Sequence, residues 1–312
     1  MSYKVLVTCP PMIKQIEKFE GIFKEKEFEI TVPDFIQTLS EEELIEIVPQ
    51  HHGWIIGDDP ATRRVFESGK AGRLLCAVKW GIGTDNIDFN ACKELSIPII
   101  NTPGVFGNEV ADLAMCYVLG LARDAFYVDR EVRSGKWVKP TGMSLAGKTM
   151  GIIGLGDIGR NIAIRANAHK LEITGWDPVT REIPEFINRQ DSWPTGIETC
   201  DFLVFACALN KNNFHMFNDS ILENIKPGLR IINISRGQLI DEGALIKGLK
   251  NKTIASAALD VFEKEPLTMD NEILNYQNCI LGSHNASNTF EAVMRASDEA
   301  ISKLHEMLKE EC

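Results

Sequence analysis

The fold of this chain is decided by the stretch TMGIIGLGDIG, residues 149–159. Its first five residues are typical of a buried strand, and a helix is predicted from Ile158, where apolar residues recur every four positions. Between them lies the pattern G-x-G-x-x-G. Gly154 allows the tight turn, Gly156 lets the backbone approach a pyrophosphate, and Gly159 lets helix and strand pack closely. The stretch therefore predicts a dinucleotide site at the start of a Rossmann-type sheet.

The next predicted strand, residues 171–176, ends at Asp177. A carboxylate about 20 residues beyond the glycines can bind both ribose hydroxyls of a dinucleotide. The same carboxylate repels a 2′-phosphate, so Asp177 favours NAD over NADP. Arg181 lies close in the sequence and keeps NADP open as the alternative.

Short apolar runs alternate with amphipathic helical stretches along the chain. This alternation is typical of parallel sheets buried on both faces, and it predicts an α/β fold with two Rossmann-like, doubly wound units. Six strands after residue 148 predict a complete dinucleotide-binding sheet. The predicted strands are residues 5–8, 29–32, 54–57, 74–78 and 97–100, then 149–153, 171–176, 203–206, 230–234, 256–259 and 280–282.

Three helices have clear signals in the sequence. Ser40 and Glu43 form a capping-box pattern before an amphipathic stretch. A long apolar helix is predicted over residues 108–126, after the chain breaker at 101–104, and a last helix over residues 288–308.

Composition excludes several classes of protein. The 312 residues carry a net charge of −11, which is unsuited to coating nucleic acid or anionic lipid. No apolar run reaches about 18 residues, so no membrane span is predicted, and the N-terminus does not resemble a secretory signal. The eight cysteines lack metal-ligand spacing, which predicts reduced thiols, a cytoplasmic location and no metal site.

Polar side chains follow three of the later predicted strands. They are Arg236, the acids Asp260 and Glu265, and His284. Ligands of parallel sheets bind beyond the carboxyl ends of strands, so these groups are expected to face one crevice. Histidine suits proton transfer near neutral pH, a carboxylate fixes its tautomer, and arginine binds carboxylates through two hydrogen bonds. Taken alone, Arg236 is more typical of a surface salt-bridge partner, because most arginines are exposed.

With these residues the chain resembles the D-isomer-specific 2-hydroxyacid dehydrogenases, particularly D-3-phosphoglycerate dehydrogenase-like members of the short form. The short form lacks a C-terminal regulatory domain, so serine feedback through such a domain is not expected. The resemblance covers nearly the whole chain. Its motifs are KWGIGTDNID at 79–88, NTPG at 101–104, GLGDIG at 154–159, KPG at 226–228, SRG at 235–237, LDVF at 259–262 and EPL at 265–267.

The resemblance implies a role for each matching residue. Arg236 would bind the substrate carboxylate and carbonyl, His284 would be the general acid in reduction, and Glu265 would pair with it. The backbone amides implied to bind the substrate are those of Gly81, Ile82 and Gly83. The residues implied to contact NAD are Gly154, Gly156, Asp157, Ile158, Gly159, Asp177, Ile234, Ser235, Arg236, Asp260 and His284.

The family's architecture implies a discontinuous substrate domain, residues 1–102 and 284–312, around an NAD-binding domain, residues 103–283. It also implies a homodimer. The expected activity is NAD-dependent interconversion of a D-2-hydroxy acid and its 2-oxo acid. D-3-phosphoglycerate is one candidate substrate, since Arg63, Arg64 and Lys79 could hold a phosphate. Glyoxylate, hydroxypyruvate and lactate are the others, and an NAD(H)-sensing, peptide-binding corepressor is the alternative function.

Two departures from the family pattern bear on the site. Phe106 stands where several members have Asn. The segment GSHNAS at residues 282–287 replaces the frequent Thr-Pro-His-Ile-Ala, which keeps the histidine but adds a polar group, Asn285, near the expected nicotinamide. A third segment, residues 205–210, replaces Leu-His-x-Pro-Leu-Thr and changes the expected surroundings of the adenine.

Overall fold

The computed structural model describes residues 2–35, 37–179, 182–190 and 192–311. Arg181, on which the NADP alternative rests, lies outside the described residues. The chain folds as two compact units. Unit 1 is Met1–Phe106 with Ser287–Cys312, and unit 2 is Gly107–Ala286.

Unit 1 is built around a parallel sheet, which confirms the predicted fold class for this part of the chain. Within its described residues the strand order is β2-β1-β3-β4-β5. Its strands are β1 (Tyr3–Val7), β2 (Phe28–Thr31), β3 (Gly53–Ile56), β4 (Cys76–Lys79) and β5 (Ile99–Asn101). Its helices are α1 (Pro10–Ile13), α2 (Glu20–Glu25), α3 (Glu41–Ile47), α4 (Arg63–Ala71), α5 (Phe89–Glu94) and α11 (Phe290–Glu310).

Unit 2 contains a second parallel sheet, of order β12-β11-β10-β9-β6-β7-β8 in the described residues. Strand β6 pairs with β7 on one side and with β9 on the other, so the strand order reverses at β6. In parallel sheets such a reversal is where ligands bind, at the carboxyl ends of the strands. The strands are β6 (Thr149–Ile153), β7 (Glu172–Trp176), β8 (Ile187–Arg189), β9 (Phe202–Phe205), β10 (Leu229–Asn233), β11 (Ile254–Leu259) and β12 (Ile280–Leu281). The helices are α6 (Gly107–Arg123), α7 (Ala125–Arg133), α8 (Asp157–Ala168), α9 (Asp219–Leu222) and α10 (Glu242–Lys250).

The prediction of six strands in this sheet was wrong by one. β8 pairs with β7 at the sheet edge and was missed, because it has three residues, of which only Ile187 is buried. Such a short edge strand has no apolar run to mark it. β8 completes the order 3-2-1-4-5-6 that is typical of dinucleotide-binding sheets, with β12 added beyond it.

The predicted helices are present, with two corrections. The helix expected over residues 108–126 ends at Arg123, because Asp124 takes a left-handed conformation with φ 52° and α7 begins after it. The last helix begins at Phe290, where the Thr289 side chain caps it. The capping box is confirmed, since the Ser40 amide donates to Glu43 Oε2 at 2.8 Å and the Glu43 amide donates to Ser40 Oγ.

The boundary between the units falls after Phe106 rather than after residue 102. Phe106 packs on Trp80, with ring centroids 5.1 Å apart, and Arg295 donates to the Val105 carbonyl at 2.8 Å. The Trp80 indole in turn donates to Ser297 Oγ on α11 at 3.0 Å. These contacts keep residues 103–106 in unit 1. None of the helices within the described ranges has the length and apolar character that crossing a bilayer requires.

A buried histidine in unit 1 makes stability depend on pH. His51 is 4% exposed and its Nδ1 lies 2.9 Å from the Ile47 carbonyl oxygen. Burial lowers the pKa of His51 below its usual value of 6.5, despite that hydrogen bond. The folded chain therefore keeps the imidazole neutral at pH values where the unfolded chain takes a proton. The free energy of unfolding should fall as the pH decreases through 6.5.

Replacing His51 with Asn, which can still donate to Ile47, should reduce this acid sensitivity. The measurement is urea unfolding at about pH 7.5 and about pH 5.5, compared with the parent protein. His169→Asn is the matched control, because His169 Nδ1 also lies 2.9 Å from the carbonyl four residues earlier but its side chain is exposed. An unchanged pH dependence in His51→Asn would contradict the prediction.

Candidate active site

The glycine loop of unit 2 has the shape that a dinucleotide requires. Gly154 has φ +94°, a left-handed conformation that favours glycine. A Cβ at Gly159 would overlap the Gly154 carbonyl, so helix α8 can approach the strand only with glycine there. A Cβ at Gly156 would meet nothing within 4 Å, which leaves open space beside the first turn of α8. Asp157 and Ile158 begin that helix, so these residues fit a pyrophosphate at its N-terminus.

Asp177 lies at the end of β7 and is held by the backbone. Its Oδ2 accepts from the Leu155 amide at 2.7 Å, and its Oδ1 accepts from the Val179 amide at 2.8 Å. The guanidinium of Arg189, on β8, donates to the Asp177 carbonyl at 2.8 Å. Sequence reasoning missed Arg189 because it missed β8. The guanidinium of Arg189 therefore lies beside the predicted ribose site, where it is hydrogen bonded to the main chain of Asp177 and not to its carboxylate.

Arg236 follows β10, and its neighbours fix the local backbone. The Arg236 carbonyl accepts from the Asn233 side chain at 2.8 Å, and its Nη1 donates to the Ser235 carbonyl at 2.9 Å. Ser235 Oγ donates to the carbonyl of Cys207, which lies at the end of the neighbouring strand β9. Ile234 is buried between these groups and the strand. The predicted contacts Ile234, Ser235 and Arg236 thus form one rigid turn.

His284 and Glu265 are brought together, as the resemblance implied. His284 Nδ1 lies 2.8 Å from Glu265 Oε2, and both side chains are about one-quarter exposed. Glu265 Oε1 accepts from the Phe262 amide at 2.9 Å, which fixes the carboxylate. A carboxylate on Nδ1 leaves Nε2 as the nitrogen that can exchange a proton with a ligand.

The loop that carries His284 is strained and is held by Asp260. His284 has φ +55°, a left-handed conformation that costs about 1 kcal/mol outside glycine. The His284 amide donates to the Asp260 carbonyl at 2.6 Å, and the Ala286 amide donates to Asp260 Oδ2 at 2.8 Å. Asp260 is 1% exposed, and its other oxygen, Oδ1, accepts from Tyr117 Oη at 3.3 Å. Sequence reasoning missed Tyr117, which lies far away in the sequence on α6.

In unit 1 the predicted amide donors are not equivalent. Gly81 has φ +117° and its amide donates to Thr102 Oγ1 at 2.8 Å. The amides of Ile82 and Gly83 have no hydrogen-bond partner among the described residues. Asn101 donates to the Ile82 carbonyl at 3.1 Å and fixes this segment. Thr102 is therefore a further residue that shapes the segment, and its place in the NTPG motif was the available signal.

The three cations considered for a phosphate all have carboxylate partners. Arg63 lies 2.7 Å from Glu94, and Arg64 pairs with Glu41 and Glu42. Lys79 is 2% exposed, and its Nζ donates to the Gly57 carbonyl and to Asp58 Oδ1, the latter at 3.0 Å. The Lys79 ammonium is therefore buried and paired with Asp58, which disfavours its predicted role in holding a phosphate.

One cluster in unit 2 combines ligand types that metals use. A potential ligand atom from each of His215, Asp241 and Glu263 lies within 4.8 Å of the others. His215 Nε2 is 3.1 Å from Glu263 Oε1, and Asp241 caps α10 by accepting from the Gly243 and Ala244 amides. A histidine–glutamate pair beside a helix cap accounts for this arrangement. The predicted absence of a metal site stays a prediction.

Comparison with known proteins agrees with the geometry of unit 2. Residues 115–286 match the family profile described as "D-isomer specific 2-hydroxyacid dehydrogenase, NAD binding domain". A glyoxylate reductase of Korarchaeum cryptofilum is 35% identical over 81% of this chain and 75% of its own length. A hydroxypyruvate reductase of Thermotoga maritima is 32% identical over 94% and 95%. The apo structure of D-lactate dehydrogenase from Escherichia coli aligns with TM-score 0.84 and 26% identity, covering 99% of this chain and 98% of that one.

The chain therefore belongs to the D-isomer-specific 2-hydroxyacid dehydrogenase family, which confirms the resemblance. Within that family it is an NAD-dependent D-2-hydroxyacid dehydrogenase. The prediction of NAD as the cofactor is confirmed by the match to the family's NAD binding domain.

Proposed function

We propose that this dehydrogenase reduces a small, unphosphorylated 2-oxo acid of the size of glyoxylate or hydroxypyruvate, and oxidises the D-2-hydroxy acid in reverse. The observation that carries the choice is the pairing of Lys79, Arg63 and Arg64 with carboxylates. A phosphate needs cations that remain available to it. Exposed pairs such as those of Arg63 and Arg64 are weak, but Lys79 is buried and cannot turn outward without losing its partners.

The substrate carboxylate would be bound by the Arg236 guanidinium of unit 2, which offers two parallel hydrogen bonds. In unit 1 the amides of Ile82 and Gly83 have no partner among the described residues and can each donate to an anion. The Gly81 amide is used by Thr102, so we assign Gly81 the role of shaping the turn.

The proton would be supplied by His284. In reduction, Nε2 of the protonated imidazole donates to the carbonyl oxygen, while Glu265 keeps Nδ1 as a donor and stabilises the positive charge. NADH, when bound, supplies the hydride to the carbonyl carbon. Asp177 would hold its ribose, the turn at Gly154–Gly159 its pyrophosphate, and Ile234, Ser235 and Asp260 would surround the nicotinamide.

The assignment of the units follows from these roles. Unit 2 would bind the cofactor and unit 1 the substrate. We also propose a homodimer formed through unit 2, supported by the exposed apolar side chains of Phe126, Val132 and Trp137, the last of which is 80% exposed. A cytoplasmic location is supported by the seven free cysteines of the described residues. The names of the relatives favour the enzyme over the corepressor alternative.

The substrate proposal is tested by steady-state kinetics with NADH. We expect kcat/KM for glyoxylate or hydroxypyruvate to exceed that for 3-phosphohydroxypyruvate by at least about tenfold. Arg64→Gln serves as the control and should leave this ratio unchanged, because Arg64 pairs with Glu41 and Glu42. The proposal would be overturned if the parent protein preferred 3-phosphohydroxypyruvate and Arg64→Gln lost that preference.

A further inference from the structure

We propose that Tyr117 is a positioning residue for this reaction: its hydroxyl holds Asp260, and Asp260 holds the loop that carries His284. The inference rests on the proposed role of His284 as the proton donor. Tyr117 lies on α6, in the part of unit 2 that no sequence motif connects with catalysis.

The contacts form a continuous chain from α6 to the catalytic loop. Tyr117 is 5% exposed, and its Oη donates to Asp260 Oδ1 at 3.3 Å. Burial and the neighbouring Asp260 carboxylate raise the pKa of Tyr117, so its hydroxyl stays protonated and can donate. Asp260 receives the amides on both sides of the histidine side chain, that of His284 at its carbonyl and that of Ala286 at Oδ2. Fixing the Asp260 side chain therefore fixes the loop at Ala286, beside the main-chain contact that already holds His284.

The loop needs this restraint because of its backbone conformation. His284 has φ +55°, a region that side-chain-bearing residues adopt only when the surroundings impose it. Without the tyrosine hydroxyl, Asp260 Oδ1 has no other partner among the described residues. A buried carboxylate oxygen without a hydrogen-bond donor is unfavourable, so the Asp260 carboxylate is expected to rotate toward a different donor. That rotation would break the hydrogen bond from the Ala286 amide to Oδ2 and free the loop.

The sequence at Gly282 is consistent with this role for Tyr117. A Cβ at Gly282 would overlap Asp260 Oδ1 and would lie 2.5 Å from Tyr117 Oη. The tyrosine hydroxyl thus lies in the volume that a side chain at position 282 would need. Gly282 and Tyr117 are therefore sterically coupled, and the donor to Asp260 comes from α6.

The first test is Tyr117→Phe, which removes only the hydroxyl. We expect kcat for 2-oxo acid reduction to fall about tenfold, because the proton donor is less well placed, while KM for the acid changes little. The solvent deuterium isotope effect on kcat should increase, because proton transfer becomes more rate-limiting. A role in stability alone would lower the melting temperature and leave that isotope effect unchanged.

Tyr276→Phe is the matched control. It removes a tyrosine hydroxyl from the same unit that has no hydrogen bond to any described residue, so kcat and the isotope effect should match the parent protein. If Tyr117→Phe also matches the parent in both, the inference is overturned. The proposed function fails separately, when the parent protein turns over none of the 2-oxo acids or when His284→Ala has no effect.

A second test uses the contact with Gly282. Gly282→Ala introduces the Cβ that overlaps Asp260 and crowds Tyr117, so kcat should fall further than in Tyr117→Phe. The double variant Tyr117→Phe/Gly282→Ala should recover part of the loss, because Asp260 Oδ1 can move into the space that the hydroxyl vacates. Additive losses in the double variant would contradict the coupling, since residues that share a contact are expected to be non-additive.

Discussion

Replacing His284 with Ala is expected to lower kcat by about 10³-fold, the effect of removing a positioned general acid. In the proposed reaction the imidazole protonates the carbonyl oxygen, and Glu265 Oε2 lies 2.8 Å from its Nδ1. Binding of NADH should change far less, because the glycine loop and Asp177 are unaffected. The measurements are kcat for the preferred 2-oxo acid and the dissociation constant of NADH from fluorescence titration.

Glu265→Gln tests how much the charge of the Glu265 carboxylate contributes to proton donation by His284. The amide can still hydrogen bond to Nδ1 but carries no charge, so the imidazolium loses stabilisation and kcat should fall by about tenfold or more. His169→Ala, at an exposed histidine on the end of α8, is the control and should behave as the parent protein.

Full activity in His284→Ala would refute the assigned mechanism.

Gly156→Ala and Gly159→Ala should both prevent NADH binding, but for different reasons. At Gly159 the new Cβ overlaps the Gly154 carbonyl, so the loop must deform and the ligand-free protein should melt at a lower temperature. At Gly156 the Cβ meets no atom within 4 Å, and φ of −68° suits alanine, so the ligand-free protein should keep its melting temperature. The methyl group would then occupy the space through which a pyrophosphate approaches the backbone.

The measurement is thermal unfolding with and without NADH. We expect the stabilisation by NADH to disappear in both variants, with a loss in affinity of about 100-fold or more, because bound ligand raises the melting temperature by mass action. Gly21→Ala is the control, since its Cβ also meets nothing within 4 Å and it lies in unit 1. Normal stabilisation of Gly156→Ala by NADH would show that the pyrophosphate does not bind at this loop.

Much of the fold and of the candidate site could be predicted from the residues. The G-x-G-x-x-G after an apolar strand predicts a dinucleotide site because only glycine meets the three steric demands at those positions. Apolar runs identified eleven strands because a strand buried on both faces needs a continuous apolar segment. Strand β8 was not predicted because this short edge strand buries only one residue, Ile187, and so has no continuous apolar run.

Other properties required the three-dimensional structure. A sequence records that Lys79, Arg63 and Arg64 are cations, but the carboxylates that neutralise them come from distant segments or neighbouring elements. Whether a cation is available to a substrate depends on those partners, so the proposal of an unphosphorylated acid could not be derived from composition. The Gly81 amide likewise has its partner, Thr102, on the turn after another strand.

Residue types at characteristic spacings predicted a dinucleotide site that favours NAD, and the family resemblance implied the pair His284–Glu265. Neither could predict how the fold holds His284. Its left-handed conformation depends on Asp260, and Asp260 depends on Tyr117, which lies 143 residues before it in the chain. A hydrogen bond between residues so far apart leaves no local pattern, because the fold alone brings α6 to the end of β11.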